Sequence, residues 1–157
     1  PSDWGHLYTI GRLDADSEGL ILLTNDGDFC QKVAHPRHGM LKIYRVSLAK
    51  RVNTEALKTL TNGLRDDGEW LQAKSAKLLA ANNTRSEVEL VLAEGKNREI
   101  RRMFKALGQR VLRLQRIAVG PVKLGELPRG KWRVLSQAEI ASCLRFCGKA
   151  QESHRRN

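Results

Sequence analysis

Residues 94–108 read "EGKNREIRRMFKALG", and no other stretch narrows the possible folds as much. Wound at about 100° per residue, it sets Ile100, Met103, Phe104 and Leu107 on one side and Arg98, Arg101, Arg102 and Lys105 almost opposite. So short a helix is not stable alone; its apolar stripe has to dock on a sheet, leaving the cationic stripe to face outward or to line a cleft. Asn97 is the expected N-cap and Gly108 the expected stop. Only Glu99 lies near enough in sequence to offset the four cations. The face is therefore expected to be poorly neutralised, suited to phosphate contacts or to an ion pair with an acid from another segment.

Strands able to receive that stripe are visible as alternation. In "KIYRVSL", residues 42–48, Tyr44, Val46 and Leu48 alternate with Ile43, Arg45 and Ser47. "HLYTI", "GLILLT", "WLQAKSAKLLA", "SEVELVLA", "QRVLRLQRIAV" and "KWRVL" are further strand candidates, divided by turns such as "ANNT". Three more helices are expected. "DGDFCQKVAHP" is closed by Pro36, and "VNTEALKTLTNGL" is capped by Asn53 or Thr54 and ended by Gly63. The last opens on a capping box of Ser136 and Glu139, with Ile140, Cys143, Leu144 and Cys147 inward. Residues 148–157 read as a frayed basic tail beyond one domain of residues 1–147. Strands and helices without regular βαβ alternation indicate an α+β fold on a largely antiparallel sheet.

Charge narrows the function. Lys and Arg number 28 against 17 Asp and Glu, a net charge of +11, and such a field attracts polyanions, nucleic acid first among them. No apolar run approaches the roughly 20 residues of a membrane span. The three cysteines, Cys30, Cys143 and Cys147, fit no disulfide framework, which predicts free thiols and a cytoplasmic setting. The opening "PSDWGHLYTIG" lacks the pattern of a signal peptide and reads as the start of a piece of a longer protein.

Against this positive background, "GRLDADSEGLILLTNDG", residues 11–27, gathers Asp14, Asp16, Glu18 and Asp26. "DADSEG" begins as a calcium EF-hand does, but Asn25 stands where the bidentate glutamate belongs and an apolar run replaces the exiting helix. His6, His35, His38 and His154 have no cysteine at zinc-site spacing. Asp14 could simply cap the turn. Arg12, two residues before it, argues instead for a carboxylate held ionised, as a nucleophile or base must be.

This segment resembles the signature of the pseudouridine synthases that modify ribosomal RNA, the RsuA family. "KIYRV", "EGKNREIRRMF" and "VLRLQRIAVGPVKLGELPRGKWRVL" resemble that family's later motifs in the same order, so the resemblance runs from about residue 7 to residue 140. It implies a pseudouridine synthase catalytic domain, an α+β fold with a mainly antiparallel mixed sheet flanked by helices. The activity it implies turns uridine into pseudouridine within RNA, with no metal and no organic cofactor. By the same resemblance Asp14 is the essential aspartate, and attack at C1′, addition at C6 and stabilisation of a glycal all stay open for it. Tyr44 matches the active-site tyrosine that stacks on the flipped uracil and assists removal of the C5 proton. Arg101 matches the basic residue paired with the catalytic aspartate, and Leu114 a leucine of the uracil pocket. Arg12 would help extrude or bind the nucleotide, with Arg98, Arg102 and Lys105 as further substrate-binding cations. Asp16 and Glu18 fall where the family varies and read as loop residues.

Members of this family usually carry an RNA-binding module of the S4 type and an early strand before this signature, so the chain reads as a catalytic domain lacking its N-terminal part. Lys96 and Glu99 stand where arginine and glutamine are often seen. The expected partner is ribosomal RNA, with 23S favoured over 16S on the wording of "PRGKWRVL", and no membrane; a monomer is expected. The competing reading is a non-catalytic RNA-binding or ribosome-assembly module.

Overall fold

A computed structural model describes residues 2–155. In chain order it runs β1 (Tyr8–Ile10), β2 (Glu18–Gly19), β3 (Leu22–Thr24), α1 (Gly27–Ala34), β4 (Lys42–Leu48) and α2 (Thr54–Asn62). There follow β5 (Leu64–Asp66), β6 (Glu69–Leu71), β7 (Ser75–Ala81), β8 (Ser86–Leu92), α3 (Glu99–Ala106), β9 (Val111–Val119), β10 (Val122–Lys123) and α4 (Gln137–Arg155). The central sheet has the order β10-β9-β4-β8-β7, antiparallel throughout, and β2 adds to β9 in parallel. This is the expected α+β architecture.

β4 lies between β8 and β9, and its alternation explains its place. Val46 and Leu48 are fully buried, and Val46 sits opposite both Val88 and Leu114. Against this face α3 docks Ile100, Met103 and Phe104, while α2 contributes Leu57 and Leu60. A second apolar cluster joins Ile10, Leu20 and Leu22 to Val33 of α1 and to Cys143 and Cys147 of α4. The three cysteines are free thiols.

The helix ends follow local chemistry. Asp26 caps α1 by accepting from the N–H groups of Asp28 and Phe29, both at 3.0 Å, and Asn53 caps α2 at Ala56 N, 2.8 Å. Ser136 and Glu139 form the expected reciprocal box at 2.8 and 3.1 Å. Gly108, at φ +69°, ends α3 with its N–H on Lys105 O and that of Gln109 on Phe104 O, the pairing that satisfies the last carbonyls of a helix.

Several expectations are corrected. Asn97 does not cap α3; Arg98 takes that position in the left-handed region, φ +48°, with no side-chain cap. "GLILLT" is two strands, because Gly19 at φ +109° ends β2 and turns the chain away from its partner β9. A Cβ there would lie 2.3 Å from Arg116 O, so only glycine permits the approach. "WLQAKSAKLLA" likewise divides between β6 and β7. "KWRVL" is no strand: residues 131–135 pair with no other strand, and the Arg133 side chain is bound to Glu139 at 2.6 and 2.9 Å and to Lys123 O at 3.3 Å. Leu144 is 40% exposed on the outer side of α4. Residues 148–155 continue α4 rather than fray; the rest of that expected tail lies outside the described residues. No described helix is long and apolar enough to cross a membrane.

Candidate active site

β1 and β3 pair with each other, Tyr8 opposite Thr24 and Ile10 opposite Leu22, so the segment between them is a closed loop. Inside it Ser17 N–H donates to Asp14 O at 2.9 Å, a tight turn that lifts residues 14–17 off the sheet. Two of the loop's acids are held by arginines. Arg98 grips Asp16 with two hydrogen bonds of 3.1 and 2.9 Å, and Arg101 adds Nε at 3.2 Å from Oδ2 and a 2.6 Å bond to Asp16 O. Glu18 pairs with Arg113 of β9. Asp14, exposed at the tip, has no ion-pair partner among the described residues. Three acids share one loop, and only Asp14 is left for something else.

The electrostatics follow this division. The Arg98 fork, with Arg101 beside it, holds the Asp16 carboxyl below its ordinary range, and Arg113 does the same for Glu18. Asp16 is thus a structural partner of α3 rather than the neutral loop residue its position suggests. The expected pairing of Arg101 with Asp14 is corrected as well: in this structure Arg101 is bound to Asp16, two residues further along the same loop.

Behind the loop a cleft of about 810 Å³ brings together Arg12, Asp14, Tyr44, Arg98, Arg101 and Leu114. β4 supplies Tyr44, β9 supplies Leu114, the loop after β1 supplies Arg12 and Asp14, and the N-terminal turn of α3 supplies Arg98 and Arg101. Burial drives the Tyr44 hydroxyl above its ordinary acidity range, while the Arg116 guanidinium beside it pulls the other way. Tyr44 and Arg116 are opposite one another across the β4–β9 ladder, which is why they meet. Arg102 and Lys105 are elsewhere. Arg102 is bound by Asp66, at 2.6 Å, and Glu69 of the β5–β6 hairpin, and Lys105 lines a shallower groove with Arg102 and Glu69. The cationic stripe is therefore far better neutralised than the local sequence implies, because acids distant in sequence reach it.

The cleft also contains residues that motif reasoning passed over. Arg116 is 2% exposed, although it is an arginine. Its alternation with Leu114 along β9 was the available signal: both occupy the buried face. Glu99 is 3% exposed, and burial raises its pKa, with only the Lys96 N–H at 3.1 Å on Oε2. Lys42 lines the wall too, its pKa lowered by burial and by Arg116.

A family model described as RNA pseudouridylate synthase matches residues 3–106. The chain is 39% identical over 137 residues to the ribosomal large subunit pseudouridine synthase B of Bacillus subtilis, covering 85% of this chain and 56% of that protein. It is 37% identical to the ribosomal small subunit pseudouridine synthase A of Vibrio vulnificus, covering 87% and 59%. A solved pseudouridylate synthase structure superposes with a TM-score of 0.78 at 38% identity, covering 88% of this chain and 60% of that one. The chain spans 53% to 60% of the length of the curated relatives it matches. By its sequence and its fold, it belongs to the RNA pseudouridylate synthase family.

Proposed function

We propose that the chain is the catalytic part of an enzyme that isomerises uridine to pseudouridine in ribosomal RNA, with 23S RNA preferred to 16S. The observation that carries this reading is the meeting of Asp14, Tyr44, Arg101 and Leu114, from four separate elements or loops, in one cleft of about 810 Å³. That volume suits a single flipped nucleotide. Relatives named for both ribosomal subunits supply the substrate class, and the RNA preference rests on the "PRGKWRVL" segment.

In this mechanism the net +11 charge draws in the phosphate backbone, and Arg12 and Lys105 hold it. Tyr44 stacks on the extruded uracil and Leu114 packs its edge. The Asp14 carboxylate, without an ion-pair partner among the described residues, drives cleavage of the N1–C1′ bond. The uracil turns, C5 bonds to C1′, and the proton lost from C5 is balanced by one gained at N1. Tyr44 assists that last transfer, for which a hydroxyl that stays protonated at neutral pH must be paired with an acceptor. Arg98 and Arg101, released in part from Asp16 or shared with it, steady the developing charge.

The test is tritium release from ribosomal RNA labelled at uracil C5, with parent and Asp14→Asn chains on both subunits' RNA. Release by the parent alone supports the reading and identifies the RNA. RNA binding without release by either chain would leave a binding module in its place.

A further inference from the structure

Arg116 is an expensive residue to bury, and its three nitrogens show how it is used. Nε donates to Leu20 O at 2.8 Å, and Nη1 donates to Arg12 O at 3.2 Å. Those carbonyls stand at the two ends of the loop whose tip is Asp14. Arg116 also meets this loop through its backbone, because its carbonyl accepts from Leu20 N–H at 2.8 Å and Gly19 lies opposite it in the β2–β9 register. One residue of β9 thus closes the base of the loop from both sides.

The third nitrogen, Nη2, is buried with no partner in hydrogen-bonding geometry among the described residues, and the guanidinium lies beside the Tyr44 hydroxyl. Two further atoms of cleft residues make no hydrogen bond, the acceptor Glu99 Oε1 and Arg101 Nε, but Arg101 Nε has Asp16 Oδ2 at 3.2 Å, which leaves Arg116 Nη2 as the cleft's donor without an acceptor among the described residues. Unpaired buried donors are rare in folded proteins, and each calls for an explanation such as strain, a catalytic role or a bound water or ion. A planar guanidinium fixed by two carbonyls cannot turn away from that cleft, whereas a lysine ammonium has no such fork.

We propose that Arg116 is a positioning residue for the candidate active site: it ties Arg12 and Leu20 together so that the Asp14 carboxylate stands over Tyr44, and it turns its remaining N–H towards the bound nucleotide. The inference rests on the reading of Asp14 as the acting carboxylate. Among the described residues the Asp14 carboxylate has no ion-pair partner, and its carbonyl accepts from Ser17 N–H within the turn; the arginines of α3 hold Asp16, on the far side of the tip. Without Arg116 the loop keeps its outer anchors and loses its base.

Two measurements on the parent, Arg116→Lys and Arg116→Met chains test this. Amide hydrogen exchange reads the loop directly: the amides of residues 13–19 should exchange at least about tenfold faster in both variants, while those of β4 and β8 stay within about threefold of the parent. Tritium release reads the consequence: Arg116→Lys should lose about 100-fold in kcat with KM changed less than about threefold, as a displaced reacting group does. Unchanged loop exchange overturns the proposal, as does acceleration shared equally by β4 and β8, which is the signature of a merely structural arginine. A kcat within threefold of the parent also overturns it. A parent inactive on both RNAs sinks the pseudouridine reading instead, and the exchange data then decide by themselves whether Arg116 holds the loop.

Discussion

Arg101 and Arg102 are neighbours in the sequence, yet α3 sends them to different regions. Arg101 turns into the cleft, 3.2 Å from Asp16, and binds that residue's carbonyl at 2.6 Å. Arg102 turns the other way, where Asp66 and Glu69 take its guanidinium and Asp66 O accepts at 2.9 Å, fastening the helix to the β5–β6 hairpin. About 100° of rotation separates a residue of the site from a residue of the scaffold. A count of positive charges along a helix does not make this distinction. The acids that the fold brings opposite each turn do.

The sharpest way to break that comparison is to remove each arginine in turn. Arg101→Met should lower tritium release by about 100-fold with little change in melting temperature, the loss seen when one preorganised donor leaves a reacting site. Arg102→Met should do the reverse, lowering the melting temperature by a few degrees while release stays within about threefold of the parent. Exchanged outcomes would refute the division.

A smaller effect is expected from the acid between the two regions. Asp16→Asn releases Arg98 and Arg101 for phosphate, so the salt dependence of RNA binding should steepen by about 1.4 in log–log slope, about 0.7 for each freed cation on a single strand. An unchanged slope would mean that these arginines never reach RNA.

Glu99 sharpens the comparison from inside the cleft. Its pKa is raised by burial, with Glu94 adding to the push and the Lys96 N–H, Lys96 and Arg102 opposing it. The fold therefore favours its protonated form. That contribution is complete below the ordinary value of 4.5 and is lost as pH rises through the folded value. Glu99→Gln should raise the melting temperature at pH 7 and not at pH 4. A gain of equal size at both would assign the effect to packing rather than to charge.

The smallest effect belongs wholly to the scaffold. Ser136→Ala removes half of the α4 capping box and should cost about 1 kcal/mol with no change in activity. Its partner Glu139 is held down to about 2 by Arg133, so the acid's own contribution is present above 4.5 and fades as pH falls towards 2. Thermal melts across that range would show it.

What was legible in the sequence was whatever local spacing determines. The opposed stripes of α3, the alternation of β4, the Asn53 cap and the Ser136–Glu139 box all appear where periodicity and capping chemistry place them. So does the loop that carries Asp14 between two strands. Motif order, by resemblance, also named five of the residues that meet in the cleft besides Arg98. Tertiary structure decided the pairings. Asp16 rather than Asp14 meets Arg101, Arg102 is claimed by a hairpin about 35 residues earlier in the chain, and Arg116 is buried against carbonyls about 100 residues away. A charge's nearest sequence neighbours set its phase on a helix or strand. Its partner is chosen by which segments the core packs side by side, and no local spacing encodes that choice.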